Sequence, residues 1–191
     1  MLYLRRLLDG ENHRAGQHRA AYDALAQGLW REYGMQHITL ARRERGKPYL
    51  PAHPEVHVNV THCSRLAAAV VDTAPVGVDA EPVGPLRERV LGRACSSAEQ
   101  GWVLSQPDPA YAFIRLWTAK ESYVKATGTG IGVALQEITF ALTDCSIRSN
   151  QKAGFTQLLL PEHVVTICHQ AGKGQVLTLC PKGEWICWNW I

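Results

Sequence analysis

QPDPAYAFIRLWTAKESYVKATG, residues 106–128, carries the strongest helix signals in the chain. Asp108 is suited to the N-cap, Pro109 to the first helical position and Gly128 to the C-terminal stop. Apolar side chains recur at helical spacing and predict a stripe that packs on a sheet: Phe113, Leu116, Trp117, Tyr123 and Val124. We expect one long helix here, and the rest of the fold is built around it.

The same helix carries three charged residues whose role the helix alone does not decide. Glu121 and Lys125 lie four residues apart and share a face, with Lys120 beside them. Such a Lys/Glu/Lys cluster is usually a solvated face. A carboxylate next to an ammonium also suits a metal-bridged phosphate, because the acid binds the ion and the lysine neutralises phosphoryl oxygens.

Elements on both sides of this helix predict an α+β protein. The N-terminus reads as a strand, residues 16–33 as a helix that ends at Gly34, and residues 56–60 and 65–81 as strands with a turn near 73–75. Short helices are expected over 86–92 and from Ser96 or Ser97, where Glu99 completes a capping box. Further strands are expected over 135–142, 155–160, 163–170, 175–180 and 184–191.

Strand–helix–strand material thus occurs twice, before and after residue 79. We therefore predict two packed α+β lobes, residues 1–78 and residues 79–191. The 191-residue chain is 46% hydrophobic and 19% charged, which is enough for a core and argues against disorder.

Charge and cysteine usage narrow the class of protein. A net charge of +3 favours a small anionic ligand over nucleic acid. No apolar run reaches 18 residues, and six scattered cysteines form no CxxC pair, so we expect a cytoplasmic protein without a membrane span. The basic segment ARRERGK, residues 41–47, is either a solvated loop or a loop that binds phosphate.

Two short segments outside the long helix hold further polar candidates. In VGVDAE, residues 76–81, Asp79 and Glu81 point to one face of a strand, because side chains alternate. They are either solvated acids or oxygen ligands for a hard ion such as magnesium. In NVTHCS, residues 59–64, His62 is better suited to donate to a phosphate than to serve a serine or cysteine nucleophile.

Taken in order, five segments resemble the 4′-phosphopantetheinyl transferases of the larger, surfactin-synthetase-activating type. They are RGKPYL (45–50), VNVTHC (58–63), VGVDAE (76–81), CSSAE (95–99) and WTAKESYVKATG (117–128). Each is weak alone, but G-V-D-x-E followed by W-x-x-K-E-S-Y-x-K is a specific pair. The resemblance implies a pseudo-dimer of two similar α+β lobes with the active site in the cleft between them.

The resemblance also implies an activity. Such enzymes transfer the phosphopantetheine arm of coenzyme A to a serine hydroxyl of an acyl or peptidyl carrier protein, and release adenosine 3′,5′-bisphosphate. By position, a magnesium ion, with manganese as an alternative, would be held by Asp79, Glu81 and Glu121. Catalysis would fall to Glu121, Lys125 and His62. Contacts to coenzyme A would come from Arg19, Arg45, Gly46, Lys47, Pro48, Thr61, His62, Lys120 and Lys125.

The sequence departs from the family pattern in places. Cys63 stands where the family often has serine, Ala94 where a phenylalanine is common, and the shorter N-terminal part leaves Arg42, Arg43 or Arg45 to replace contacts to the 3′-phosphate. We expect a monomer, since two lobes complete one cleft. The alternative is a non-catalytic member that binds coenzyme A or carrier proteins, and a magnesium-dependent phosphatase or nucleotidyl transferase is a third possibility.

Overall fold

A computed structural model describes residues 1–130, 134–169, 175–178 and 185–188 of the chain. The fold is α+β, as predicted. Residues 170, 179–180, 184 and 189–191, at the ends of three strands expected from the sequence, lie outside the described residues, as do residues 131–133 of the glycine-rich segment.

The first lobe is a sheet with one long helix on its outer face. Helix α1 (Arg14–Tyr33) follows strand β1 (Leu2–Arg6) and ends at Gly34, whose φ of 67° is left-handed, as the stop signal predicts. A short hairpin follows, β2 (Ala41–Arg42) and β3 (Pro48–Tyr49). Strands β4 (His57–Cys63) and β5 (Leu66–Asp72) join the sheet in the order β1-β5-β4, and the C-terminal strand β12 (Trp185–Trp188) completes it on the other side of β1.

The second lobe begins with β6 (Gly77–Pro82) and contains the long helix predicted from residues 106–128. That helix, α4 (Pro109–Thr127), is capped by the Asp108 side chain, which accepts from the backbone N–H of Tyr111, and it ends at Gly128. Shorter helices precede it, α2 (Glu88–Ala94) and α3 (Ser97–Leu104), the latter with the expected Ser96/Glu99 capping box. The remaining strands are β7 (Phe140–Leu142), β8 (Ile147–Ser149), β9 (Gly154–Leu159), β10 (His163–His169), β11 (Gln175–Thr178) and β12 (Trp185–Trp188).

The two lobes repeat one arrangement of strands. In the first, β1 pairs with β5 and β5 with β4, all antiparallel, and α1 connects β1 to β4 through the small hairpin. In the second, β6 pairs with β10 and β10 with β9, again antiparallel, with α4 between β6 and β9. The order β6-β10-β9 therefore corresponds to β1-β5-β4, which confirms two similar α+β lobes.

The C-terminal part of the chain returns to the first lobe. Strand β12 pairs with β1 and so adds a C-terminal strand to the first sheet. Residue 78, where we placed the lobe boundary, lies inside β6. The division into residues 1–78 and 79–191 therefore stays a prediction about folding units rather than a description of the two sheets.

Apolar side chains fill three layers. One cluster lies between the two sheets and includes Leu4, Val70, Val78 and Ile167. Two others lie on the outer faces, beneath α1 and beneath α4. Burial of this apolar surface is the main driving force for folding. In the packed structure β4 and β6 lie side by side where the lobes meet.

Two details differ from the sequence expectations. The strand expected over 135–142 is a 3₁₀ turn at Leu135–Glu137 followed by the short β7, because the carbonyl groups of this segment bind a buried lysine (below). The helix expected over 86–92 is shifted to α2 (Glu88–Ala94). Among the described residues no helix is long and apolar enough to cross a membrane.

Candidate active site

A cleft of about 310 Å³ between the lobes is lined by two of the polar candidates on α4, Glu121 and Lys125, and by the basic hairpin. One wall comes from the hairpin β2–β3 and from β4, and the other from the C-terminal half of α4. The described lining is Arg42, Arg45, Gly46, Lys47, Pro48, Asn59, Val60, Glu121, Val124, Lys125, Gly128 and Gly130.

Helix α4 approaches β6 closely because Gly77 has no side chain. A Cβ at Gly77 would lie 2.2 Å from the carbonyl oxygen of Ser122 and 2.3 Å from the backbone nitrogen of Ala126. Both distances are below any real Cβ contact, so only glycine permits this packing. The approach brings the face of α4 that carries Glu121 and Lys125 against the start of β6.

Lys125 is bound to two residues from different lobes. Its Nζ lies 2.6 Å from Oδ1 of Asp79 and donates to Oγ1 of Thr61 at 3.1 Å, while the Thr61 hydroxyl lies 3.3 Å from the same Asp79 oxygen. Asp79 is 4% exposed, and Thr61 is also buried. The acid predicted on β6, the hydroxyl predicted on β4 and the lysine predicted on α4 therefore converge.

Glu81 and Glu121 lie close enough to Asp79 for its charge to change their pKa values. Burial, and then the charge of Asp79, raise the pKa of the Glu121 carboxyl, with a further contribution from Glu81. Burial and Asp79 likewise raise the pKa of Glu81, against an opposing hydrogen bond from Trp117. The Asp79 carboxylate thus raises the pKa of both glutamates, which indicates more negative than positive charge in this cluster.

This cluster suits a divalent ion. Its donors are carboxylate oxygens, which a hard cation prefers, and Oδ2 of Asp79 is buried with no hydrogen-bond partner among the described residues. Such an orphan acceptor is costly unless something binds it. As the described residues stand, no group of three or more His, Cys, Asp or Glu side chains is placed to hold a metal ion, and Lys125 takes the other oxygen of Asp79.

His62 lies on the opposite face of β4 from Thr61, as alternation requires. Its ring is 6.0 Å from that of His18 on α1, edge to face, and its Nδ1 is buried without a partner in the described part of the chain. Burial, then His18, Lys125 and Arg14 lower the pKa of His62. A neutral ring with an open nitrogen, surrounded by basic groups, is suited to an anionic ligand.

The hairpin β2–β3 closes the other end of the cleft against the segment that follows α4. Gly46 turns the hairpin at a φ of 84°, and the Arg45 side chain donates to the carbonyl of Thr129. Lys47 donates to Val76 and Ala126 carbonyls, and burial lowers the pKa of its ammonium to about 8. Gly128 and Gly130 contact these side chains with φ values of 70° and 69°, which explains the glycines after the helix.

Two residues predicted to contact coenzyme A, Lys120 and Arg19, are placed away from the described cleft lining, and their contacts stay predictions. Lys120 is completely buried, 2.8 Å from Oε2 of Glu99, and it also donates to the Leu135 and Ile138 carbonyls. Its three N–H groups are thus fully used, and none is left for coenzyme A. Arg19 is exposed on α1 beside Glu11, whose pKa it lowers after Leu8 and Arg5, rather than in the described lining of the cleft.

Sequence reasoning missed two residues of the site. Asn59 lines the cleft and accepts from the backbone N–H of Val78 at 3.0 Å, which connects β4 to β6. Alternation could have found it, since Asn59 and Thr61 share a face. Trp117, which we expected to pack α4 on the sheet, also donates its indole hydrogen to Glu81.

Cys63, at the end of β4, is not a nucleophile. Burial, then Glu81 and Asp79, raise the pKa of its thiol far above the ordinary value. Only a thiolate attacks or binds a metal readily. The substitution of cysteine for the family's frequent serine therefore leaves a protonated thiol that donates weakly to the Ser64 carbonyl, 3.8 Å away.

A larger cavity, about 630 Å³, lies between the end of β1 and the β9–β10 turn. Its described lining is Arg6, Leu7, Leu8, Arg65, Leu66, Leu160, Pro161, Glu162 and His163. These residues include none of the acids or lysines that converge at Asp79. We place the site in the smaller cleft because the chemistry is there.

Comparison with known proteins agrees with this placement. The sequence model of the 4′-phosphopantetheinyl transferase superfamily matches residues 75–183, more than half of the chain. The chain is 34% identical over 132 residues to 4′-phosphopantetheinyl transferase psf-1 of Bacillus pumilus, covering 68% of this chain and 53% of that protein. It is 37% identical over 123 residues to 4′-phosphopantetheinyl transferase HetI of Nostoc sp., covering 60% and 52%.

The chain spans about half the length of these curated relatives. A solved structure of holo-[acyl-carrier-protein] synthase from Thermotoga maritima is similar with a TM-score of 0.41 at 16% identity, over 51% of this chain and 64% of that one. That likeness is too distant to support an argument. The matched region 75–183 contains Asp79, Glu81, Glu121 and Lys125.

Proposed function

The chain belongs to the 4′-phosphopantetheinyl transferase superfamily, and we propose that it transfers the 4′-phosphopantetheine group of coenzyme A to a serine hydroxyl of an acyl or peptidyl carrier protein. The observation that carries the proposal is the convergence of Asp79, Thr61 and Lys125, with Glu81 and Glu121 near them, where Lys125 and Glu121 line the cleft. Its relatives' names support the same reaction.

The donor binds along the cleft. Its adenosine end lies against the hairpin residues Arg45, Gly46, Lys47 and Pro48, and its phosphates lie against Thr61, Lys125 and His62. A volume of about 310 Å³ is within the range of small-molecule sites. The basic groups on both walls match a donor that carries a diphosphate and a 3′-phosphate.

Asp79, Glu81 and Glu121 would hold a magnesium ion, or manganese in its place, through their carboxylate oxygens. Such an ion supplies positive charge to the diphosphate and to the bisphosphate that leaves. The orphan Oδ2 of Asp79 and the raised pKa of both glutamates, to which Asp79 contributes, support this assignment.

Transfer is a displacement at the phosphorus that carries the pantetheine arm. The serine Oγ–P bond forms, and the P–O bond to adenosine 3′,5′-bisphosphate breaks. Glu121 accepts the serine proton, because it is a carboxylate that lines the cleft beside Lys125. Lys125 places its ammonium on the phosphoryl oxygens as their negative charge grows, and His62 contacts the leaving phosphate.

The oligomeric state and the cellular compartment are proposed from the lobes and the cysteines. Two lobes in one chain form one cleft, so one copy suffices, and we propose a monomer. Cys63, Cys95, Cys145 and Cys168 are free thiols, which is typical of a cytoplasmic protein. Fatty acid, polyketide and nonribosomal peptide systems each offer carrier proteins as acceptors.

The test is labelling of apo carrier proteins with a fluorescent coenzyme A in the presence of magnesium. The wild-type protein labels at least one carrier from the three systems, and Asp79→Asn lowers the rate ~100-fold or more. Phosphate release from coenzyme A without an acceptor, or binding without labelling of any carrier, would overturn the proposal.

A further inference from the structure

The ammonium of Lys125 takes the position beside Asp79 that a cation would take. Its Nζ lies 2.6 Å from Oδ1 of Asp79, and the Thr61 hydroxyl binds both groups. Charge-assisted hydrogen bonds of this length are the stronger ones in proteins. Half of the Asp79 carboxylate is therefore engaged by the protein's own lysine.

The other half of that carboxylate is open. Oδ2 of Asp79 is buried and has no partner among the described residues, while Lys125 binds only Oδ1. One ammonium thus compensates only part of the negative charge of three acids. The cluster retains affinity for a cation while one of its oxygens is occupied.

The two partners of this ion pair differ in freedom. Asp79 lies within β6, paired with Thr166 on β10, and its side chain is 6% exposed. Lys125 is near the C-terminus of α4, its side chain is 29% exposed, and it borders the cleft. A lysine has a flexible four-carbon stem, so the ammonium can swing toward the cleft while the carboxylate stays in place.

We propose that Lys125 acts as an internal counter-ion that competes with the divalent ion for Asp79 until the diphosphate of the donor draws its ammonium away. This proposal rests on the proposed function for the identity of the donor. Donor and metal ion then bind synergistically, because the donor removes the competitor as well as bridging the ion. By linkage, the ion strengthens donor binding by the same factor.

The competition has a simple electrostatic origin. An ammonium next to Asp79 both occupies an oxygen and repels a second cation in a partly buried site, where charges interact more strongly than in water. Removing the charge of Lys125 while keeping its length strengthens metal binding to the free protein. We expect about a tenfold gain, which corresponds to ~1.4 kcal/mol.

The experiment measures Mn²⁺ binding, by paramagnetic resonance of the free ion, to the full chain with and without coenzyme A and with no carrier protein. Lys125→Met removes the charge, and Lys125→Arg is the matched control that keeps it. Lys47→Met is a second control, since it removes a positive charge from the same cleft without a contact to Asp79.

The proposal predicts that Lys125→Met binds Mn²⁺ alone about tenfold more tightly than wild type, whereas Lys125→Arg and Lys47→Met stay within about twofold. It also predicts that coenzyme A tightens Mn²⁺ binding less in Lys125→Met than in wild type. Equal or weaker Mn²⁺ binding by Lys125→Met would overturn it, as would an equal gain in Lys47→Met. Lys125→Gln replaces the methionine variant if thermal melting shows that the latter is unfolded.

This outcome is separable from that of the proposed function. Labelling of a carrier protein by wild type together with unchanged Mn²⁺ affinity in Lys125→Met would reject the counter-ion alone. Tighter Mn²⁺ binding in that variant, with no carrier labelled by wild type, would reject the transferase and leave the counter-ion in place.

Discussion

Helix α4 carries two lysines five residues apart that form ion pairs of nearly equal length in opposite settings. Lys120 lies 2.8 Å from Glu99, with side chains 0% and 5% exposed, and Lys125 lies 2.6 Å from Asp79, with 29% and 6%. The first pair has every hydrogen satisfied, whereas the second leaves Oδ2 of Asp79 without a described partner. The two pairs therefore differ in whether all their hydrogen-bonding groups have partners, and not in their length. The fully bonded pair stabilises the fold, and the other leaves an oxygen available to a ligand.

The Lys120–Glu99 pair joins three segments behind the site. Glu99 accepts from Ser96 and Phe140 backbone N–H groups as well as from Lys120, while Lys120 binds the 3₁₀ turn after the glycine-rich segment. The pair therefore fixes α3, α4 and the start of β7 to one another. Because Glu121 follows Lys120 on α4, this network also fixes the position of the Glu121 backbone.

The largest effect is expected for Lys120→Met, which leaves the Glu99 carboxylate buried and uncompensated. Breaking one side of a buried ion pair costs ~3–5 kcal/mol. We expect a loss of this size in the free energy of unfolding, measured by urea denaturation. The double variant Lys120→Met/Glu99→Leu is the control and recovers part of the loss. A single-variant loss below ~1 kcal/mol would show that the pair is solvated rather than structural.

A smaller effect is expected for Gly77→Ala, which moves α4 away from β6 and so pulls Lys125 from Asp79. The added Cβ meets backbone atoms of Ser122 and Ala126, which cannot step aside as a side chain could. Overpacking of this kind costs ~1–3 kcal/mol. Thermal melting and carrier labelling should both fall.

Gly92→Ala is the matched control for that experiment. Gly92 lies in α2, and a Cβ there meets nothing within 4 Å. Alanine is the better helix former, so this change should leave stability equal or raise it by up to ~1 kcal/mol. Similar losses for both variants would mean that Gly77 has no special contact with α4.

The smallest effect is a dependence of stability on pH. Because burial and Asp79 raise the pKa of Glu121, the folded state binds this proton more tightly than the unfolded state. The contribution is favourable at low pH and is lost as pH rises from the ordinary carboxyl pKa through the raised one. Glu121→Gln should flatten this part of the metal-free stability curve, and an unchanged slope would contradict the elevation. Added magnesium should oppose the loss in wild type.

The sequence predicted most of α4 and of the acids because these depend on local rules. Asp108 and Gly128 bound the helix where capping chemistry places them, and alternation along β6 put Asp79 and Glu81 on one face. Which of two lysines faces inward depends on a partner distant in sequence. Lys120 finds Glu99, 21 residues away, and no periodicity along α4 signals that contact.

Other parts of the site were equally non-local. The closeness of α4 to β6 rests on Gly77, which reads in the sequence only as the start of a strand. Arg19 was expected near the phosphates, but it is exposed on α1 outside the described cleft lining, and His18 is the residue of that helix that meets His62. Both depend on how a helix is rotated against its sheet, which requires the packed structure.

The central proposal is that the protein transfers phosphopantetheine to a carrier protein at the site formed by the three acids and Lys125. The direct test is the intact mass of a panel of apo carrier proteins after incubation with the protein, coenzyme A and magnesium. The account predicts a gain of one phosphopantetheine on a serine with wild type and none with Asp79→Asn that melts as wild type does. An unchanged mass for every carrier, or an equal gain with Asp79→Asn, would contradict it.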